Sequence, residues 1–481
     1  MRIQWTAAPL LIVALSIHAE DVLPKSESNS SSDMLQLDEE FSADIKPAKQ
    51  LSKTEPASEA DFYTRHLAKK FTFKLNQQVY SQIHDHVTAS GVAKTPTIED
   101  NRLNLNIKYQ NPFASGWSFQ ASAQAKLYWP SDYEHGTSNQ SIDMEGRVDE
   151  LEARLNEFYL TKNLDQHTFK LGRQTIVWGE AEGNSILDTL NTTEYRDLSI
   201  IEIEDARLNQ WLLVWDFFGD EQQRLSSFIN FDPQFNPNTR INSPAYVPVA
   251  VPLTGPDDKT RFEFGTRWQW SIEHSDLAVM AAYLFENPLR YDVAPDLSVA
   301  RANDNGYWLL GASANRAIGK LLLKLDLAFS HGVLADTLVA PGGDYLFSHA
   351  SSMRSEQIGF STGFEYAISN QQSISLSALA RHFIGLDESL RTNETSANGD
   401  VFGSWLMRYS HSFDNNDWVF SSTMNGSLNG DRVLISGSVL YSVNDHWSLL
   451  TQVITTFADK NSSFAILDKD VRLGFTISYS N

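Results

Sequence analysis

From Lys70 onward the chain alternates apolar and polar residues with a period of two, in runs of ten to fourteen residues. Phe71, Phe73, Leu75 and Val79 alternate with Thr72, Lys74, Asn76 and Gln78, and the pattern returns over 103–110 and 117–129. Alternation of this kind gives a strand one greasy and one wet face. The runs are twice the usual ~5–6 residues of a soluble strand and match the ~9–11 residues that cross a bilayer at a tilt. The third run carries Trp117 and Phe119 at one end, Leu127 and Trp129 at the other, and Ala121, Ala123 and Ala125 between. Aromatics at both interfaces around a plain apolar band belong to a membrane strand, and a soluble sandwich has no use for them.

Similar runs near 153–163, 166–177, 207–218, 221–231 and onward to 468–479 bring the count to eighteen, with sixteen as the alternative. Short turns such as 163–166 and 273–274 alternate with long polar segments near 85–100, 130–152, 178–206, 232–259, 288–304, 333–354 and 386–398. Short turns on one side and long loops on the other fit an outer-membrane barrel, and closure removes the unpaired edges that lipid cannot satisfy. The eighth long-side connection, Asn429-Gly430, reads as a tight turn. The last strand ends on Asn481, not on an aromatic residue. The expected fold is all-β: a transmembrane antiparallel β-barrel of about eighteen strands, preceded by a disordered N-terminal segment.

Residues 1–19 read as a signal peptide, with Arg2, an apolar stretch over 7–17 and Ala19 at the cleavage point. Residues 20–66 read as a disordered acidic periplasmic leader. Eleven acids face four bases between Glu20 and Asp61, with few aromatics, a composition that buries too little apolar surface to fold. Residues 67–481 form the barrel. No stretch reaches the ~18 or more apolar residues of a spanning helix. The net charge of −22 argues against a nucleic-acid partner, which is bound through Lys and Arg clusters. Zero cysteines exclude a disulfide framework and thiolate metal sites.

The third long segment, 178–206, concentrates charge. Glu180, Glu182, Asp188, Glu194, Asp197, Glu202, Glu204 and Asp205 stand against one base, Arg196. Gly179 and Gly183 permit sharp turns, and Ile186, Leu187, Leu190 and Leu198 need a surface to pack on. Folded inward, the segment constricts the pore and its acids act on passing cations. Folded outward, it is a solvated acidic loop that holds divalent cations bridging lipopolysaccharide. Opposite an inward acidic loop a porin needs positive wall charge. The lumen candidates are Lys74, Lys108, Lys126, Arg173, Arg261, Arg267, Lys324 and Arg472, interleaved with Glu263, Asp326 and Glu365. Each is equally an ordinary wall residue bonded to its neighbours.

The fourth long segment carries Pro233, Pro237, Pro244, Pro248, Pro252 and Pro256 among Tyr246, Val247, Val249, Val251 and Leu253. It reads either as a lid for an apolar solute or as packing over the barrel mouth. His84 and His86 lack a third placed ligand, so no metal site is assigned. Without a nucleophile elbow, HExxH or P-loop, no catalytic or cofactor-binding residues are assigned and no enzyme activity is expected.

The run RQTIVWGEAEGNSILDTLN from Arg173, with YRDL at 195–198 and Glu204, Asp205 and Arg207 after it, resembles the hallmark of a large proteobacterial outer-membrane family known only as a domain of unknown function. In layout the chain is similar to alginate-export and other eighteen-stranded porin-like barrels. The resemblance implies a Gram-negative outer-membrane location beside a resistance-nodulation-division type exporter, hence a periplasmic export partner and lipid-like or apolar cargo. Residues and resemblance together lead to an outer-membrane channel for small solutes or apolar compounds, with lipopolysaccharide as its lipid neighbour. A scaffold binding a partner protein and a barrel enzyme are the alternatives.

Overall fold

The computed structural model describes residues 70–83, 86–87, 93–94, 98–129, 151–181, 183–194, 206–219, 222–237, 253–256, 259–293, 298–334, 337–339, 346–348, 354–385, 401–413, 415–459 and 468–481. The expected signal peptide and leader lie outside these residues, as do Glu182, Arg196, Asp197, His84 and most of the fourth long segment.

Eighteen long strands follow the chain: β1 (Phe71–Gln82), β2 (Ile98–Pro112), β3 (Trp117–Tyr128), β4 (Leu151–Leu164), β5 (His167–Gln174), β6 (Gln210–Phe218), β7 (Gln223–Asp232), β8 (Glu263–Ile272), β9 (Ser275–Phe285), β10 (Gly306–Ile318), β11 (Leu321–Leu334), β12 (Arg354–Ser369), β13 (Gln372–Ile384), β14 (Val401–Phe413), β15 (Trp418–Ser427), β16 (Arg432–Ser442), β17 (Trp447–Ala458) and β18 (Asp470–Ser480). Each pairs antiparallel with its neighbours in sequence, and β18 returns to pair with β1, so the sheet is a closed barrel of eighteen strands and not sixteen. At the seam Tyr80 faces Gly474. The phenol ring lies where a Cβ on Gly474 would sit, 2.3 Å from Tyr80 Cε1, and its hydroxyl donates to Gln452 Oε1 on β17. Asn481, in place of a terminal aromatic, accepts the Phe73 amide at 2.7 Å through Oδ1. Within the short turns, Asp165 and Glu273 take the positive φ that such connections need.

The alternation seen in sequence becomes an outside and an inside. Ile107, Leu160, Leu171, Trp268, Leu310, Leu327, Phe360, Val453 and Phe475 are exposed, all on the outer face. Leaving such a side chain in water forgoes about 1.5–3 kcal/mol, so a handful exceeds the ~5–15 kcal/mol net stability of a folded chain. This surface therefore needs lipid. Aromatic contacts gather at its two edges: Phe71 with Tyr109, Trp418 with Tyr441 and Trp447 with Tyr479 at the short-turn rim, and Phe264, Tyr283 and Trp308 at the long-loop rim. The opposite face lines the lumen with Gln78, Asn104, Asp326, Ser361, Thr423 and Gln452.

Candidate functional site

Past Gln174 the chain leaves the wall and turns back on itself. Gly179 and Gly183 have φ of +97° and +70°, the left-handed region where a side chain is strained. A Cβ at position 179 would also meet Ser185 Oγ at 1.9 Å. The neck is tied by Asn191, whose Oδ1 accepts from Ile176 N (3.2 Å) while its Nδ2 donates to Ile176 O (2.7 Å). Asn287 donates to the carbonyls of Thr189 and Asn191.

The segment 178–190 then lies on the lumen face of the wall. Asp326, on β11 between the outward Leu325 and Leu327, is fully buried. Its carboxylate accepts from Glu180 N (2.9 Å), Ala181 N (3.1 Å), Ser185 Oγ (2.7 Å) and Ser361 Oγ of β12 (3.1 Å). Four donors, two of them backbone amides, satisfy the buried carboxylate. Ile186 N donates to Ser361 Oγ, and Asn184 exchanges two hydrogen bonds with Ser404 of β14. In a ring of eighteen strands β14 stands nine from β5, on the far side of the barrel.

Apolar contacts share the load. Trp178, Ile186, Leu187 and Leu190 are buried with Leu212, Val214, Phe228, Met280, Leu284 and Leu309 of the inner wall. Three wall glycines make room for them. A Cβ on Gly265 would come within 2.9 Å of Trp178, on Gly311 within 2.6 Å of Leu187, and on Gly359 within 2.2 Å of Ile186. Each buried side chain contributes about 1.5–3 kcal/mol, and a hydrogen bond to a charged group about as much. Packing and the Asp326 carboxylate hold the segment together.

The charged candidates separate into distinct positions. Glu180 pairs with Arg267 of β8 at 2.9 Å and accepts from Asn315 of β10. Asp188 pairs with Arg207 at 3.1 Å, and the buried Glu194 lies 3.9 Å from Arg154 of β4. The three described loop acids among the candidates thus each stand beside an arginine. Lys324 pairs with Glu365 across β11 and β12, while Lys108 lies 4.0 Å from Glu157, and both basic groups face the lumen. Lys126 is buried on the inner face of β3, Arg472 pairs with Asp470 on β18, and Glu263 accepts from Asn230 and the Phe285 amide.

Two candidates sit elsewhere than expected. Arg173 shares the outer face with Leu171 and Phe169, two and four residues away, and donates Nε to Leu155 O at 2.8 Å. Period two puts it on the lipid side, at the long-loop rim, not in the lumen. Arg261 precedes β8 and pairs with Asp304 at 2.5 Å, so it belongs to the rim and not to a strand of the wall.

Sequence reasoning named Asp326 only as a wall acid and passed over Ser361, Asn191 and the three wall glycines. A signal was present. β6 (QWLLVWDFF) and β9 (SDLAVMAAYLF) break the alternation and are apolar on both faces, as a wall covered on both sides must be.

An eighteen-stranded antiparallel barrel, apolar outside, with a long loop laid against its inner wall, is a porin-like transmembrane β-barrel. Among solved structures, one similar in fold is a BenF-like porin from Pseudomonas fluorescens, with a TM-score of 0.52 and 11% identity over 85% of this chain and 98% of that one. OccAB3 of Acinetobacter baumannii aligns with a TM-score of 0.49 and 10% identity, covering 86% and 98% of the two chains. The outer membrane protein opdK from Pseudomonas aeruginosa aligns with a TM-score of 0.49 and 8% identity, covering 86% and 98%. No protein-family model and no curated protein matches the sequence.

Proposed function

We propose that this chain is an outer-membrane channel for small solutes, in which the segment 178–206 narrows the lumen. The observation that carries the reading is the seating of 178–190 on the inner wall, from Arg267 of β8 to Ser404 of β14. A loop fixed in this way leaves a crescent between itself and the facing wall of β15–β18 and β1–β4. Its described acids Glu180, Asp188 and Glu194, each beside an arginine, hold the loop in place, and the facing wall contributes to the selectivity of the passage. No chemistry is assigned to the barrel. Lipopolysaccharide meets the outer face at the long-loop rim, and a periplasmic export partner, if it delivers the solute, does so at the short-turn rim.

The test is conductance in a planar bilayer, comparing the natural protein with Asp326→Ala/Glu180→Gln. Release of the loop widens the crescent, so single-channel conductance is expected to rise at least twofold. A folded barrel that stays closed at every voltage in both forms sinks the channel reading and favours a scaffold.

A further inference from the structure

Arg173 is the last outward residue of β5 before the chain turns into the lumen, and the strands beside it frame its side chain. Its neighbours in the transverse row are Phe158 of β4 and Trp211 of β6, whose rings meet edge to face at 6.4 Å across β5. Pairing of β4 with β5 stops at Phe158 and Arg173, and just above it Asn156 and Glu157 form a bulge opposite Ser122. The Leu155 carbonyl beyond that bulge accepts Arg173 Nε at 2.8 Å, which aims the side chain toward the long-loop rim. Nε is thereby fixed, while Nη1 and Nη2 have no partner among the described residues. The acid of the row, Asp232 of β7, lies across Trp211 and makes no ion pair with Arg173. Arg154, on the neighbouring β4, faces inward to Glu194. The next row down runs Leu171, Leu213, Ile229 and Phe264, so Arg173 stands one outward position beyond a row that holds a rim aromatic.

A cation on the lipid face is costly unless an anion meets it, and among the described residues no carboxylate does so here. We propose that the Arg173 guanidinium binds a phosphate of lipopolysaccharide in the outer leaflet. The proposal rests on the outer-membrane reading, which puts the long-loop rim in that leaflet, and on nothing about the passage of solutes. Solutes in the lumen do not reach the group, because period two turns it away from the pore. On the lipid side the anions are headgroups, and a long side chain near the rim snorkels to their level. The fork of Nη1 and Nη2 takes a phosphate through two parallel charge-assisted bonds, whereas a lysine would offer a point charge only. Below the fork the Phe158 and Trp211 rings give the acyl chains of the same lipid an apolar surface.

The test uses the full chain folded in detergent, with bound lipid counted by native mass spectrometry. Three probes are compared: lipid A carrying both phosphates, the same lipid A stripped of them, and phosphatidylglycerol. The natural protein is expected to hold the phosphorylated lipid A in preference to both others. Arg173→Gln is expected to weaken that binding about tenfold, the loss of one charge-assisted contact, and Arg173→Lys to restore part of it. Arg316→Gln removes an outward arginine near the short-turn end of β10 and is expected to change nothing. The heat-modifiable gel shift checks that each variant is folded. Undiminished binding in Arg173→Gln overturns the proposal, as does binding by the natural protein that is indifferent to the phosphates. Phosphatidylglycerol held as tightly as lipid A, and lost in Arg173→Gln, gives the group to phospholipid headgroups and overturns the lipopolysaccharide assignment. A barrel that conducts nothing, yet binds lipid A through Arg173, loses the channel reading and keeps this site.

Discussion

Asp326 concentrates the strongest residue-scale expectation. Removing its carboxylate strips the Glu180 and Ala181 amides and the Ser185 hydroxyl of their acceptor in a site sealed from water. Each stranded donor costs about 1–3 kcal/mol, which a tethered loop escapes by leaving the wall while the strands stay paired. Asp326→Ala should therefore keep the heat-modifiable gel shift of a folded barrel yet open 178–190 to protease. Resistance equal to the natural protein would show that packing alone seats the loop. Gly359 tests the packing half separately. A Cβ there would lie 2.2 Å from Ile186 Cγ1, so Gly359→Val should expel Ile186 and produce the same cleavage with Asp326 intact. If cleavage is seen in Asp326→Ala only, Ile186 is dispensable for seating.

At the scale of the element, each strand must serve two solvents, and its alternation is the consequence. Leu327 faces out near the middle of β11, while Asp326 faces in. Leu327→Arg puts a charge close to the bilayer midplane and should cost ~2–4 kcal/mol in urea unfolding from phospholipid vesicles. A change under ~0.5 kcal/mol would mean that β11 does not face lipid at this level. The same two-solvent demand explains why the strands were legible: it runs through every strand, and no distant contact is needed to see it. The seat of the third loop was legible in part. Gly179, Gly183 and the apolar Ile186 and Leu187 speak for an inward turn, but the partner of Ile186, Ser361, lies 175 residues away, and local pattern is silent about which strand ends up opposite. The two-sided apolar character of β6 and β9 marks the covered wall, but in sequence it does not differ from an ordinary buried strand. Charge alone does not place Arg173 in the lumen, because a long side chain near the rim reaches polar surroundings from the lipid face.

For the whole molecule the decisive bond is the one between its ends. Every other strand pair joins neighbours in sequence, but β1 and β18 meet across some 400 residues, and until they do, both edges are unsatisfied in lipid. Their register is marked by Tyr80 filling the space over Gly474 and reaching Gln452 behind it. A large residue at 474 competes for that space, and a small residue at 80 leaves it empty, so either change alone should slow closure. Gly474→Tyr and Tyr80→Gly are each expected to lower the fraction reaching the heat-modifiable form in a vesicle-folding assay. The two changes combined exchange knob and hole across the same pair and should recover much of that fraction, because the volume at the seam is conserved. Overpacking elsewhere would leave the double variant at least as poor as the worse single one. That outcome would move the register signal from this pair to the Gln82–Asp470 bond and the Asn481 cap on Phe73.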